Sequence, residues 1–331
     1  MFQKQWVAVA LLPICIVGAL PLATFLTPEN SHSMDSSEKT GFTAAREIQV
    51  LPYHTHEPVQ DPFKSYELPL SASNSSTKTS TRTTPPPQWT IMIYLDGDNN
   101  IEAYAQHTLT KLTTLPPGHN TTILILYDGN SMGDSQLYQT RNNTWETRSL
   151  QDINATWTQE INMGDPHTLK SFISYGLETS PLNQCMLELW GHGYGWTGIC
   201  RDETNNDRLT TNEIQDTIAT VCTNHQKKID VLVYTACNMA DIEVVYGLHN
   251  YVQYFIGSQD AIPASGLPHH PILKTINNQP IDTATLVNHI ITSYATFYQD
   301  THTATLAGWN LKYLPALVHA VNRFTHTLTT T

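Results

Sequence analysis

From Trp89 onward, short apolar runs alternate with segments whose apolar positions recur every three to four residues. "WTIMIYL" (89–95) is a nearly unbroken apolar run, the pattern of a strand buried on both faces. It passes through "DGDNN" (96–100) into a helical pattern from about 101 to 112, where Asn99 and Glu102 have the spacing of a capping box. "TTILILYD" (121–128) predicts the next strand, and "QLYQT" and "WETRSL" alternate like two arms of a hairpin. "MGDPHTLKSFISYGLE" predicts a helix capped by Asp165, with Pro166 in its first turn. Further strands are expected at 185–190, 231–234, 254–259 and 303–311, and helices at 211–223, 239–248, 282–299 and 312–326. Strands alternating with helices predict an α/β fold, a three-layer sandwich whose mostly parallel central sheet is covered on both faces.

The pattern stops upstream of Trp89. Residues 27–88 carry few large apolar residues, and "SASNSSTKTSTRTTPPPQ" (71–88) cannot bury enough surface to fold, so this stretch reads as a disordered linker or a removable pro-segment. Residues 1–26 hold one lysine followed by an uncharged apolar stretch from Trp6 to Leu26. That is an export leader, either a signal peptide ending after "VGA" (17–19) or a membrane anchor using the whole stretch. The protein is therefore expected outside the cytoplasm, periplasmic, secreted or anchored, with residues 89–331 as its working domain.

Composition narrows the partners. Seventeen basic against 29 acidic residues give a net charge of −12 with no Lys/Arg run, which excludes nucleic acid, and an anionic membrane surface, as natural partners. Five cysteines (15, 185, 200, 222, 237) form no C-x-x-C pair and no zinc-ligand spacing, so neither a metal finger nor a disulfide scaffold is expected. No G-x-S-x-G elbow marks a serine hydrolase.

Two strand ends carry chemistry. "LELWGHGYGWTG" puts His192 between two glycines just after one apolar strand, and "VLVYTACNMAD" puts Cys237 just after another, before a helical pattern whose N-terminus would favour thiolate. In open α/β sheets ligands sit beyond the carboxyl ends of the strands, so this pair reads as a Cys/His nucleophile system.

These blocks, with "WTIMIYLDGDNNIE", "INMGDPHTL" and "FIGSQDAIPASG", resemble the clostripain family of cysteine peptidases in order and spacing from about Trp89 to Phe324. The resemblance implies the caspase-haemoglobinase type of fold and a cysteine endopeptidase working as a monomer on peptide or protein substrates. It implies that Cys237 attacks the peptide carbonyl, His192 protonates the leaving amine, and the backbone N–H groups of Gly193 and Cys237 form the oxyanion hole, with no obligatory third residue. It also places the S1 pocket at Thr235, Ser258, Gln259, Asp260 and Ser265, and it makes Arg208 a candidate processing site between His192 and Cys237. Thr235 and Ser265 stand where relatives that cut after Arg or Lys carry acids, and Gly191 stands where the family commonly has Asp. A pocket without those acids is expected to prefer a neutral P1 side chain. The missing acids also keep open a silent protein of the same fold that binds a peptide or surface ligand. No cofactor is required on this reading. A loose calcium site using Asp96 and Asp98 is an alternative to simple helix capping, prompted partly by the calcium response of the family's namesake, although "DGDNN" lacks the EF-hand glycine and glutamate.

Overall fold

The computed structural model describes residues 89–331 other than 120, 181–183, 302–303 and 331. The leader at 1–26 and the tract at 27–88 lie outside the described residues. Along the chain come β1 (Trp89–Asp96), α1 (Glu102–Thr114), β2 (Thr121–Asp128), β3 (Gln136–Arg141), β4 (Thr144–Arg148) and α2 (Pro166–Thr179). They are followed by β5 (Gln184–Trp190), β6 (Ile199–Asp202), β7 (Asp207–Leu209), α3 (Thr211–His225) and β8 (Ile229–Thr235). The last elements are α4 (Ile242–Val245), β9 (Val252–Gly257), α5 (His269–Asn278), α6 (Thr283–Phe297), β10 (Ala307–Asn310) and α7 (Leu314–Thr330).

The main sheet has eight strands in the order β10-β9-β8-β5-β1-β2-β3-β4, parallel from β9 to β2 and antiparallel at β3, β4 and β10. Every residue of β1 is buried, because strands flank it on both edges and apolar layers cover both faces. One layer joins Met92, Leu187 and Leu232 of the sheet to α2 and α3. The other joins Ile91, Ile93 and Val233 to α1, α5 and α6. From β1 the chain adds β2 on one side, then returns to add β5, β8 and β9 on the other. The carboxyl ends of β1 and β5 therefore flank the point where strand order reverses, the natural crevice of such a sheet.

Three expectations are corrected at the level of elements. The helix expected over 239–248 is one turn, α4, plus a short 3-10 turn at Tyr246–Leu248. β-branched Ile242, Val244 and Val245 and then Gly247 give it little intrinsic helicity. The strand expected over 303–311 is confined to β10. The helix α1 has no Asn99–Glu102 capping box: Asn99 Oδ1 accepts from Ile101 N at 3.1 Å, while Glu102 Oε1 accepts from Asn130 N at 3.2 Å. The reciprocal box forms instead at Thr210 and Glu213, opening α3. The hairpin β6–β7 and the helix α5 were not anticipated.

Candidate active site

Register brings the segments that carry His192 and Cys237 to neighbouring strand ends. Trp190 of β5 pairs with Thr235 of β8, and each candidate residue lies two positions beyond that pair. The pairing is carried one step further by Gly191 N donating to Thr235 O at 3.4 Å. The two glycines around His192 are steric necessities. A Cβ at position 191 would sit 2.8 Å from Asp96 Oδ2, and one at 193 would sit 2.1 Å from the carbonyl oxygen of Cys237 and 2.8 Å from its nitrogen. Gly193 thus packs directly on the backbone of the candidate nucleophile.

His192 is half-buried, and its Nε2 lies 2.6 Å from Asn100 Oδ1. An amide oxygen accepts, so this contact places the imidazole proton on Nε2 and leaves Nδ1 as the free base. Asn100, at the end of "DGDNN", escaped the sequence reading. The only signal was its place beyond the carboxyl end of a buried strand. Burial first, and then the Arg201 cation, lower the His192 pKa from its ordinary value, against an upward pull from Glu203.

Cys237 is half-buried and free, and its Sγ accepts from Ile262 N–H at 3.4 Å. The sequence argument from a helix dipole does not hold at this residue, because α4 starts five positions later and is four residues long. The polar neighbour is the 258–262 loop, zipped to the residues after Cys237 by Asn238 N to Asp260 O (3.1 Å) and Ala240 N to Ser258 O (2.9 Å). Asn238 turns the chain there with φ of +58°. Cys200 is buried and free, its Sγ 3.7 Å from Trp190 O.

The residues expected to line S1 divide. Thr235 is buried and donates through Oγ1 to Glu188 Oε1 at 2.6 Å. Ser258 is buried and spends its hydroxyl on Asp260 O and Thr305. Gln259 and Asp260 are exposed, and Asp260 Oδ1 binds its neighbour's N–H at Ala261. Ser265 is half-buried beside Tyr298, whose hydroxyl donates to Gly266 O at 2.8 Å. An acid that sequence reasoning missed, Glu188, reaches Thr235. It is fully buried in the middle of β5 and holds both Thr235 and His269 Nε2 (2.9 Å). Beside them Trp190 Nε1 is buried without a partner, 2.7 Å from where a Cβ on Gly266 would lie.

Arg208 belongs to β7 and stacks its guanidinium 5.3 Å from the ring centre of Tyr194, while the exposed turn of the hairpin is 203–206. Behind Asn100 lies a nest of acids. Asp96, Asp98, Asp128 and Asp202 are all fully buried. Burial drives Asp96 well above the usual carboxylate range, pushes Asp128 up to about 9 and raises Asp202 to about 6. Asp98 approaches Asp128 and Glu160, whereas Asp96, paired with it in the sequence reading, stands outside that group.

Comparison with known proteins identifies the family. The model of the clostripain family matches residues 93–331. Clostripain of Hathewaya histolytica is 28% identical over 189 residues, 47% of this chain, and the match spans only 35% of that relative's length. Among solved structures, an inactive zymogen C11 protease from Parabacteroides distasonis superposes with a TM-score of 0.56 at 24% identity, covering 71% of this chain and 65% of that one. A secreted C11 cysteine protease from Bacteroides thetaiotaomicron, in complex with an irreversible peptide inhibitor, gives 0.57 at 21% identity over 70% and 68%. With the model matched across nearly the whole of the described residues, the chain belongs to the clostripain family.

Proposed function

We propose that this protein is an exported cysteine endopeptidase in which Cys237 is the nucleophile and His192 its proton carrier. The observation that supports the reading is the register of β5 and β8, in which His192 and Cys237 each lie two positions beyond the paired Trp190 and Thr235 at the carboxyl ends of adjacent strands. His192 takes the thiol proton through its free nitrogen, the thiolate adds to the peptide carbonyl, and the same imidazole returns the proton to the leaving amine. Water then releases the acyl group by the reverse exchange. N–H groups of Gly193 and Cys237 receive the oxyanion, a role supported by the contact between their backbones. Export rests on the apolar leader. Among the described residues, no helix is long and apolar enough to cross a membrane.

The P1 side chain is neutral on this reading. Thr235 gives its proton to Glu188, and Glu188 is already engaged by His269, so the buried carboxylate beside Thr235 is not free to pair with a substrate cation. The unpartnered Trp190 N–H beside Gly266 repels a cation and suits an acceptor. Ser265→Asp is the variant that should introduce Arg/Lys cleavage in a mixed peptide library. Thr235→Asp, alone or added to it, would set a second carboxylate against Glu188. Strict Arg or Lys specificity in the wild type would refute the neutral pocket.

An acyloxymethyl ketone peptide probe tests the dyad. It should alkylate the wild type and leave Cys237→Ala unlabelled, and peptide turnover should vanish in both Cys237→Ala and His192→Ala. Near wild-type turnover in either variant sinks the assignment. A folded wild type that neither labels nor cleaves would support the silent peptide-binding alternative.

A further inference from the structure

We propose that a polar cavity at the amino-terminal end of β2 binds one tetrahedral oxyanion carried on a small polyol, the phosphate or sulfate ester of a sugar. The cavity has a volume of about 440 Å³ and is walled by the loop before β2, the facing ends of β3 and β4, and the end of α2. It lies far from the candidate dyad. β2 runs parallel to β1, β5 and β8, whose carboxyl ends lead to His192 and Cys237, and its eight residues put roughly 25 Å between the two ends of the sheet. The site is therefore separate from the peptidase reading and does not rest on it.

Charge sets this cavity apart from the rest of the molecule. The chain carries 29 acidic against 17 basic residues, yet the described residues lining the cavity include Arg141, Arg148 and His119 and no Asp or Glu. Arg141 is exposed and takes part in no ion pair among the described residues. A stiff turn presents it. Asn142 and Asn143 both have left-handed backbone, with φ of +51° and +61°, as a two-residue hairpin turn requires, and the Thr144 hydroxyl donates to Arg141 O at 2.8 Å. Arg148 is anchored by Asp152, which does not line the cavity, at 2.8 Å through Nη2, while its Nε is buried with no hydrogen-bond partner. Asn143 Nδ2 donates to His119 Nδ1 at 3.0 Å, which places the imidazole proton on Nε2 as a further donor. Two guanidinium groups and an imidazole N–H, brought by three segments to one cavity, suit an anion with three free oxygens better than a flat carboxylate. Neutral groups that both give and accept hydrogen bonds, Gln139 and Tyr175 among them, suit the hydroxyls of the carrier. The volume fits one sugar ring with its ester, and a long polyanion would be repelled by the acidic remainder of the chain.

The test uses the full-length chain with Cys237→Ala as a background that cannot digest itself. It is titrated calorimetrically, in separate runs, with glucose 6-phosphate, glucose 6-sulfate, inorganic phosphate and glucose. The expected result is saturable binding of one equivalent of at least one ester, tighter than inorganic phosphate, weakened by added sodium chloride and absent for glucose. The tighter of the two esters identifies the source of the oxyanion. Arg141→Gln should weaken that binding at least about tenfold with an unchanged melting temperature, because the side chain is exposed and outside every ion pair among the described residues. Arg148→Lys keeps a charge for Asp152 but loses the planar fork, and it should weaken binding as well. No saturable binding of either ester overturns the site, and so does binding that both variants leave intact. Glucose bound as tightly as its esters refutes the oxyanion, and inorganic phosphate bound as tightly as the esters refutes the polyol carrier. None of these readouts depends on peptidase activity.

Discussion

His192 carries two expectations that a single side chain can test. Its pKa is lowered chiefly by burial, so the neutral imidazole needed to accept the thiol proton persists to lower pH than in an ordinary histidine. The acid limb of kcat/KM should therefore fall below about 6.5, the unperturbed histidine value. Arg201→Gln removes a neighbouring cation and should move the limb up, whereas Glu203→Gln removes an anion and should move it down. Opposite signs, read from pH profiles on one substrate, would contradict the assignment of the limb to His192. Asn100 is an exposed positioning residue, so Asn100→Ala should leave the melting temperature unchanged and lower kcat/KM about 10- to 100-fold by releasing the ring. Asn100→Asp keeps an acceptor, retains most of the turnover, and should raise the acid limb because a carboxylate favours imidazolium. Equal activity in all three forms would show that the 2.6 Å contact does nothing for the ring.

Among the elements, α3 is the clearest case of local chemistry deciding local structure. Thr210 Oγ1 accepts from Glu213 N at 3.3 Å, and Glu213 Oε2 accepts from Thr210 N at 2.9 Å, the reciprocal arrangement of a capping box. Thr210→Ala should cost about 1 kcal/mol in a urea melt without touching the chemistry. Replacing Asn99, which has the same spacing to Glu102 but caps nothing reciprocally, should not follow that rule. Its side chain instead holds Arg201 O and Asp96. Gly193 shows the opposite case, an element boundary set by a distant chain. Gly193→Ala cannot be accommodated without moving Cys237, because the clash is with backbone. Probe labelling should drop by about a hundredfold or more as the proposed oxyanion donor and nucleophile shift.

For the molecule as a whole, the buried pair Glu188–His269 joins the sheet centre to the loop over Cys237. It links β5, β8 through Thr235, and the first residue of α5, just past the loop that supplies Ile262. Removing one member strands the other in the apolar layer containing Met186, Trp190 and Val233. Glu188→Ala should destabilise the domain by about 3 to 5 kcal/mol in denaturant, whereas Glu188→Gln, which can still bond both neighbours, should cost clearly less. Equal stability of Glu188→Ala and wild type would mean that the pair is incidental to the fold.

Much of this architecture was legible in the sequence because its elements obey local rules. Strands buried on both faces must read as apolar runs, and helices against a sheet must repeat every three to four residues, so β1, β2, β5, β8, α2, α3 and α6 were recognisable. The two glycines around His192 and the cysteine at a strand end also stood out by type and position. The short elements did not. α5 shows its stripe, Ile272, Leu273 and Ile276, only behind "HHP", and β6–β7 is held by just a few pairings. α4 stops early because its β-branched residues and Gly247 give it little intrinsic helicity, and packing around Val244 and Val245 holds the single turn in place. What tertiary structure alone decided is which polar groups come together from remote parts of the chain. Asn100 reaches His192 across 92 positions, Glu188 reaches His269 across 81, and Asp98, Asp128 and Glu160 converge from three separate segments. No periodicity encodes such meetings: they follow from strand order, which is set by the packing of the whole sheet.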